Sequence, residues 1–238
     1  MLGKIKYTRR APDKDKGLDP GWLRIHRVAI APHNVFLCEY TRVELTKEEE
    51  GKVYFRVMDG YIAVGQEAYL SKENAEKYLS DVGPQGAATV HVRYQGESSE
   101  HSAFKGAMLQ QWAELIVPGV VTAQVTLNSK NDFIPKKYTP IPSGRHNILT
   151  PDNSHKANGD TSGYARATPG MVGNDIWFPI GLNGSSVNSS RYIHVGHLSE
   201  GCVTTHALMK WTALYNYLIS HRVPGSMGKL IGYLLVTK

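Results

Sequence analysis

The sequence predicts an α+β protein in which strands outnumber helices. Three stretches rich in β-branched and aromatic residues follow one another early in the chain, at Trp22–Ile30, Val35–Leu45 and Lys52–Val64. From Val120 onward, short apolar runs alternate with Gly, Pro, Asn and Ser, which is typical of strands joined by loops. Helical spacing of apolar residues occurs at only a few places. We therefore expect a mainly β chain with a small number of helices.

Composition and charge narrow the class of protein further. The chain has 238 residues, of which 41% are hydrophobic and 20% charged, as in ordinary globular proteins. No apolar run is long enough to span a bilayer, so no membrane span is predicted. The net charge is +6, and residues 1–18 carry six basic side chains against two acidic ones. Residues 1–20 are therefore predicted to be a basic, solvated arm, but aromatic residues are scarce there and nucleic acid is not an expected partner.

Residues 21–118 are predicted to form an N-terminal α+β region of unknown role. Asp59-Gly60 indicates a hairpin, and Ser71 is a suitable N-cap for a short helix over residues 72–80. A strand is expected over residues 88–94. A second helix is expected from Ser102 to Val117, with an apolar stripe formed by Phe104, Met108, Trp112 and Leu115.

Residues 119–238 are predicted to form the catalytic domain, because Pro118-Gly119 interrupts the chain and the strand-and-loop pattern begins there. One helix is expected from His206 to His221, with Thr205 as its N-cap. Its predicted buried stripe consists of Leu208, Trp211, Leu214, Tyr215 and Leu218. Leu230–Val236 is predicted to be the terminal strand.

The two cysteines have different local settings. Cys38 lies in an apolar, strand-like run and is predicted to be a buried, inert thiol. Cys202 follows Gly201 and precedes the helix expected near Thr205, whose free N–H groups and dipole would lower the pKa of the thiol. His194 lies on a strand just upstream and is a candidate base.

Two other interpretations of this segment stay open. Cys202 can be a structural cysteine with histidines nearby by chance. Alternatively, His194, His197, Cys202 and His206 offer four potential zinc ligands at short spacing, although this is not a familiar zinc pattern.

The segments Ile193-His-Val-Gly196 and Ser199-Glu-Gly-Cys-Val203 resemble the catalytic motif of the L,D-transpeptidase (YkuD-like) family, which has a His-containing strand before Ser-x-Gly-Cys. Tyr138-Thr-Pro-Ile-Pro-Ser-Gly-Arg-His-Asn-Ile-Leu149 is similar to a second family element that precedes the histidine. The likeness covers roughly residues 120–205 and is closest to a short-spaced branch that includes toxins secreted between bacteria. It implies a β-sandwich catalytic domain.

The resemblance also implies roles for individual residues. Cys202 would be the nucleophile, His194 its base and Ser199 a support for the loop, with backbone N–H groups near Gly201 and Cys202 as the oxyanion hole. His197 is the rival for the base and is grouped with the expected substrate contacts. Many members have an arginine two residues after the nucleophile, where this chain has Thr204, which is also grouped with the expected substrate contacts. The contact with a substrate carboxylate would then be lost or supplied elsewhere, with Arg191 and Arg145 as the candidates.

The resulting functional expectation is cysteine-dependent acyl transfer on peptidoglycan stem peptides without a metal or organic cofactor. The reaction would be an L,D-carboxypeptidase or endopeptidase hydrolysis, an L,D-transpeptidation or a D-amino-acid exchange. The place of action would be the periplasm or cell wall, in the manner of a secreted antibacterial effector with an immunity or secretion protein as a further partner. The N-terminus shows no signal peptide, so a removed leader or a specialised secretion system is expected. The alternative is a non-catalytic module that binds the cell wall or a partner.

Overall fold

The computed structural model of the protein describes residues 3–11, 21–29, 31–102, 106–131, 139–155 and 161–238. Within these residues most of the regular structure is strand, and the α-helices are few and short. The predicted mainly β class is therefore confirmed. The strands form two units, an open sheet and a closed barrel.

The open sheet is built from seven strands of the N-terminal part of the chain: β1 (Ile5–Thr8), β2 (Trp22–Arg27), β3 (Asn34–Cys38), β4 (Arg42–Glu49), β5 (Lys52–Val57), β6 (Glu67–Ser71) and β7 (Leu79–Ser80). Their order across the sheet is β3-β2-β6-β5-β4-β1-β7. Alternate residues point to one face and form a core, as expected from the period of two in a strand. That core includes Leu23, Ile25, Phe55 and Val57.

The predicted basic arm is wrong in part, because β1 is an interior strand of this sheet. It pairs with β4 on one side and with β7 on the other. The ammonium groups of Lys4 and Lys6 each lie 2.9 Å from the Asp81 carboxylate, so two of the basic side chains form ion pairs within the open sheet unit. Residues 12–20 lie outside the described part of the chain.

The three apolar runs predicted between Trp22 and Val64 correspond to four strands, β2 to β5, in the structure. A turn at Tyr40, with φ of 63°, separates β3 from β4, and a tight turn at Glu50-Gly51 joins β4 to β5. Asp59-Gly60 lies in the longer connection between the antiparallel strands β5 and β6. The predicted short helix is confirmed as α1 (Lys72–Tyr78), and the Ser71 hydroxyl accepts a hydrogen bond from the Asn74 N–H at 3.2 Å.

The barrel is built from eight strands: β8 (Ala88–Ser102), β9 (Gly106–Val117), β10 (Val121–Lys130), β11 (Gly144–Leu149), β12 (Phe178–Gly181), β13 (Tyr192–Val195), β14 (Glu200–Thr205) and β15 (Leu230–Thr237). They close in the order β10-β14-β13-β12-β11-β15-β8-β9. The expected arrangement was a sandwich confined to residues 119–238. The β8–β9 hairpin bridges β15 and β10 and closes the sheet instead, so residues 88–93 pair with β15 and residues 109–117 pair with β10.

The helix predicted from Ser102 to Val117 is wrong, because Gly106–Val117 is strand β9. Alternate residues are buried along it, but the alternation shifts once at Gln111 and Trp112. This shift puts the buried Met108 and Leu115 seven residues apart, which imitates two helical turns. Phe104 lies outside the described residues.

The helix predicted from His206 to His221 begins later than expected. Thr205 is the last residue of β14 and pairs with Val125, so it is not an N-cap. A short 3-10 turn precedes α3 (Trp211–Ile219), and a further short helix, α2 (Ser162–Ala167), lies between β11 and β12. The buried face of α3 consists of Trp211, Leu214, Tyr215, Leu218 and Ile219.

One large apolar core joins the two units. It contains the inward residues of the barrel, the buried face of α3, and Trp22 and Cys38 from the open sheet. Cys38 is 6% exposed, and burial raises the pKa of its thiol to about 12, so the predicted buried cysteine is confirmed. In the part of the chain that the structure describes, no helix has the length and apolar character needed to cross a membrane.

Candidate active site

The two central residues of the site lie on neighbouring parallel strands. In the pairing of β13 with β14, Ile193 is opposite Val203 and His194 is opposite Thr204. Because side chains alternate along a strand, His194, Cys202 and Thr204 point to the same face. His194 and Cys202 are therefore diagonal neighbours across the strand pair.

The His194 imidazole is held at both nitrogens. Nδ1 lies 3.0 Å from the Val195 carbonyl oxygen, and Nε2 lies 3.1 Å from the Thr204 hydroxyl. Since a carbonyl can only accept, Nδ1 carries the proton and Nε2 is left as an acceptor. Burial lowers the pKa of His194 to about 4. The ring is therefore neutral at neutral pH and can take up a proton at Nε2.

The Cys202 thiol is buried and protonated. Its residue is 9% exposed, and burial raises the pKa of the thiol to about 11, while the Tyr192 backbone and the Arg191 guanidinium act in the opposite direction. The expectation of a lowered pKa is wrong, because Cys202 lies within β14 and α3 starts only at Trp211. Among the described residues no helix begins beside the sulfur, so no helix dipole lowers the pKa of this thiol.

Gly201 allows an arginine and a second segment to approach the cysteine. Its φ is +91°, and a Cβ atom there would lie 2.5 Å from the Thr139 carbonyl oxygen and 2.8 Å from Nε of Arg191. The Arg191 side chain is 7% exposed and donates from Nη2 to the Thr139 carbonyl at 3.1 Å. The Thr139-Pro140 motif and the proposed carboxylate ligand Arg191 are thus brought together beside Cys202.

Ser199 anchors the loop that leads into β14. Its hydroxyl donates to the Cys202 carbonyl at 2.9 Å, and its N–H donates to the Ser129 hydroxyl at 2.9 Å. The Ser129 hydroxyl donates in turn to Oε1 of Gln110 at 2.6 Å. Ser199 therefore lies in a position that supports the loop, with β9 and β10 behind it.

His197 belongs to a separate cluster. Its ring centroid lies 4.4 Å from that of His206 and 5.0 Å from that of Tyr164, and Nε2 of His206 lies 2.8 Å from the Glu100 carboxylate. Burial, followed by the proximity of His206, lowers the pKa of His197.

The other two predicted contacts differ in their placement. Thr204 directly contacts His194, as described above. Arg145 is exposed on β11, with its guanidinium 3.8 Å from the Tyr233 ring centroid, and β12 and β13 separate β11 from β14. The structure therefore does not bring Arg145 to Cys202.

The alternative zinc ligands do not converge. His194 contacts Thr204, whereas His197 and His206 contact each other and Glu100. Over the described ranges, no group of three or more His, Cys, Asp or Glu side chains is arranged to hold a metal ion.

Sequence reasoning missed two aromatic residues of the site. The Trp177 indole stacks on His194 with ring centroids 4.3 Å apart and planes 18° apart. His155 stacks on the same indole at 4.5 Å and 4°. Trp177 is half-buried and lies just before β12 in the run Asn174-Asp-Ile-Trp-Phe178, whose other residues are buried, and no spacing or motif distinguishes it from a core residue.

The resemblance to the L,D-transpeptidase family rests on short motifs alone and stays a prediction after comparison with known proteins. No protein-family model, curated protein or solved structure matches this chain.

Proposed function

We propose that the protein is a cysteine-dependent acyltransferase or peptidase of peptidoglycan stem peptides, with a closed-barrel variant of the L,D-transpeptidase fold. The observation that carries the proposal is the shared face of His194 and Cys202 on neighbouring parallel strands. His194 has the tautomer that a base needs, since Nδ1 is held by the Val195 carbonyl and Nε2 faces the strand that bears the thiol. The proposed place of action is the cell wall.

The proposed reaction starts from a neutral pair. His194 takes the thiol proton at Nε2 while the Cys202 sulfur attacks the carbonyl carbon of a stem-peptide amide. The C–N bond then breaks, the proton passes from His194 to the departing amine, and a thioester remains on Cys202. Water resolves the thioester in hydrolysis, and an amine resolves it in transpeptidation or amino-acid exchange. A neutral thiol and a neutral imidazole, as burial favours here, need no preformed ion pair for this sequence.

Arg191 supports the choice of a substrate that carries a carboxylate. Its guanidinium is buried beside Gly201 and donates to Thr139, which keeps a positive charge close to the thiol. A stem peptide with a free terminal carboxylate would gain a charge-assisted contact there. Arg191 would take over the part of the family arginine that Thr204 replaces.

The second candidate is a non-catalytic module that binds the cell wall or a partner. Two observations favour it: Cys202 is only 9% exposed, and the Thr204 hydroxyl occupies Nε2 of His194. A thiol that stays silent toward iodoacetamide, in a protein that still sediments with isolated peptidoglycan, would support this candidate over the enzyme.

The deciding experiment is digestion of purified muropeptides with mass analysis of the products. Loss of a terminal residue, cleavage of a cross-link, formation of a new cross-link or replacement of the terminal residue distinguishes the carboxypeptidase, endopeptidase, transpeptidase and exchange reactions. We expect the Cys202→Ala protein to leave the muropeptides intact, and the Cys38→Ala protein, which lacks the other buried thiol, to process them. Processing by Cys202→Ala at the parent rate would contradict the proposal.

A further inference from the structure

Trp177 presents the face of its indole to the proposed base. The two ring centroids are 4.3 Å apart and the planes are 18° apart, so the imidazole lies nearly parallel to the indole. With Nδ1 held by Val195 and Nε2 by Thr204, the stack restricts the remaining freedom of the ring.

A base in this position needs help once it is charged. His194 is 7% exposed, and its hydrogen-bond partners within the described chain are a carbonyl and a hydroxyl, both neutral. Burial of an unpaired imidazolium is costly. The electron-rich face of an indole attracts a cation, and the attraction is strongest where water is excluded.

We propose that Trp177 is a positioning residue that holds the His194 ring and stabilises the imidazolium formed when Cys202 gives up its proton. The inference rests on the proposed function, and it adds a residue that acts through His194. The contact with a neutral ring is weaker than the contact with a charged one, so the stabilisation increases as the proton moves from sulfur to nitrogen. Trp177 would therefore affect the rate of thiolate formation more than the binding of substrate.

The stacking of His155 on the same indole fits this role. His155 is 4% exposed, and within the described residues neither of its ring nitrogens has a hydrogen-bond partner. An uncharged His155 packs against the indole without competing for its π face. The Tyr192 ring contacts both rings edge-on, at 4.9 Å from His155 and 5.5 Å from Trp177, and completes the packing.

The test is the rate at which iodoacetamide alkylates Cys202 in the full-length folded protein, with peptide mapping to separate it from Cys38. Trp177→Phe keeps an aromatic face, and its Cys202 should be alkylated at a rate within about threefold of that of the parent. Trp177→Leu removes the face and should slow alkylation by about tenfold, as expected for a cation–π contact away from water. Trp112→Leu is the matched control, because Trp112 packs edge-on against His206 and should leave the rate unchanged.

The same substitution in a His194→Ala background shows whether Trp177 acts through the base. His194→Ala alone should slow alkylation, and adding Trp177→Leu should cause no further loss, because the two residues act as a unit. Should Trp177→Leu fail to fold, Trp177→Met, whose unbranched side chain adapts to an irregular space but has no aromatic face, carries the same expectation.

The outcomes separate the inference from the proposed function. Two outcomes would overturn the role of Trp177 and leave the Cys202–His194 pair standing. In the first, His194→Ala slows alkylation but Trp177→Leu does not. In the second, Trp177→Leu slows alkylation in the His194→Ala background as much as it does in the parent. If His194→Ala alkylates at the parent rate, the pair itself fails, and the inference fails with it.

Discussion

The Thr204 hydroxyl lies 3.1 Å from Nε2 of His194, the nitrogen that the proposed mechanism requires as proton acceptor. The same hydroxyl lies 3.2 Å from the Leu198 carbonyl, so it can donate its one proton to either partner. In the resting protein, the Thr204 hydroxyl therefore occupies the nitrogen that would accept the Cys202 proton in the proposed mechanism.

Removal of this competitor should make the thiol more reactive. In Thr204→Val the methyl group replaces the hydroxyl at similar volume, and we expect iodoacetamide to alkylate Cys202 a few-fold faster. The free energy of unfolding should fall by about 1 kcal/mol, because a buried hydrogen bond is lost. Thr204→Ser keeps the hydroxyl and serves as the control. A slower reaction in Thr204→Val alone would show that the hydroxyl orients His194 for catalysis.

His194 should matter more to activity than His197. His194 shares a face with Cys202, whereas the His197 ring packs on His206 and Tyr164. We expect His194→Ala to lower the rate of muropeptide processing by at least about a hundredfold, the usual contribution of a positioned base, and His197→Ala to have a milder effect. Equal losses, or a larger loss at His197, would reverse the assignment.

Gly201→Ala should strongly destabilise the protein. The new Cβ would lie 2.5 Å from the Thr139 carbonyl oxygen, and the backbone φ of +91° is unfavourable for any residue with a side chain. We expect a loss of at least about 3 kcal/mol in the free energy of unfolding, measured with denaturant. Gly119→Ala is the control, since its φ is +73° but a Cβ there meets nothing within 4 Å. That change should cost only about 1 kcal/mol. Similar losses at both positions would contradict the close approach at Gly201.

Stability should decrease in mild acid because of His194. Burial holds its pKa in the folded protein at about 4, below the ordinary value of 6.5. Between these values the unfolded chain binds the proton and the folded protein does not. The contribution of the neutral, buried His194 to the free energy of unfolding is therefore fully present above pH 6.5. It is lost as the pH falls toward 4. It amounts to on the order of 3 kcal/mol.

Unfolding curves from pH 7 to pH 4 test this expectation. Burial also lowers the pKa values of His155 and His197, so the informative quantity is the difference between the parent and His194→Gln. The variant should lose less stability over this range, whereas His91→Gln, at an exposed position, should follow the parent. Parallel curves for the parent and His194→Gln would contradict a buried, neutral His194.

Several features could be predicted from local sequence because local interactions form them. The N-cap at Ser71 needs only its own helix, and the strand character of residues 230–237 follows from their composition. The buried state of Cys38 follows from the apolar run around it. Glycine beside Cys202 likewise indicated a special backbone position, and Gly201 has a positive φ.

The failures arise where pairing between distant residues overrides local preference. Trp112 and Leu115 have helical spacing, but hydrogen bonding of β9 to both β8 and β10 stabilises a strand. Thr205 is a good N-cap by residue type, but it pairs with Val125 and is therefore the last residue of β14. The helix start that was expected to activate Cys202 therefore lies nine residues beyond it.

By itself, the sequence determined that the protein is mainly β and which side chains carry reactive groups, Cys202 and His194 among them. Only the tertiary structure decided how these groups are surrounded. The β8–β9 hairpin closes the barrel, Arg191 reaches the carbonyl of Thr139, and Trp177 stacks on His194. Each of these contacts joins segments far apart in the chain, and burial in the resulting core sets the pKa values of the thiol and the imidazole. The physical reason is that residue type and spacing describe interactions within a segment, whereas strand pairing and desolvation depend on which segments meet.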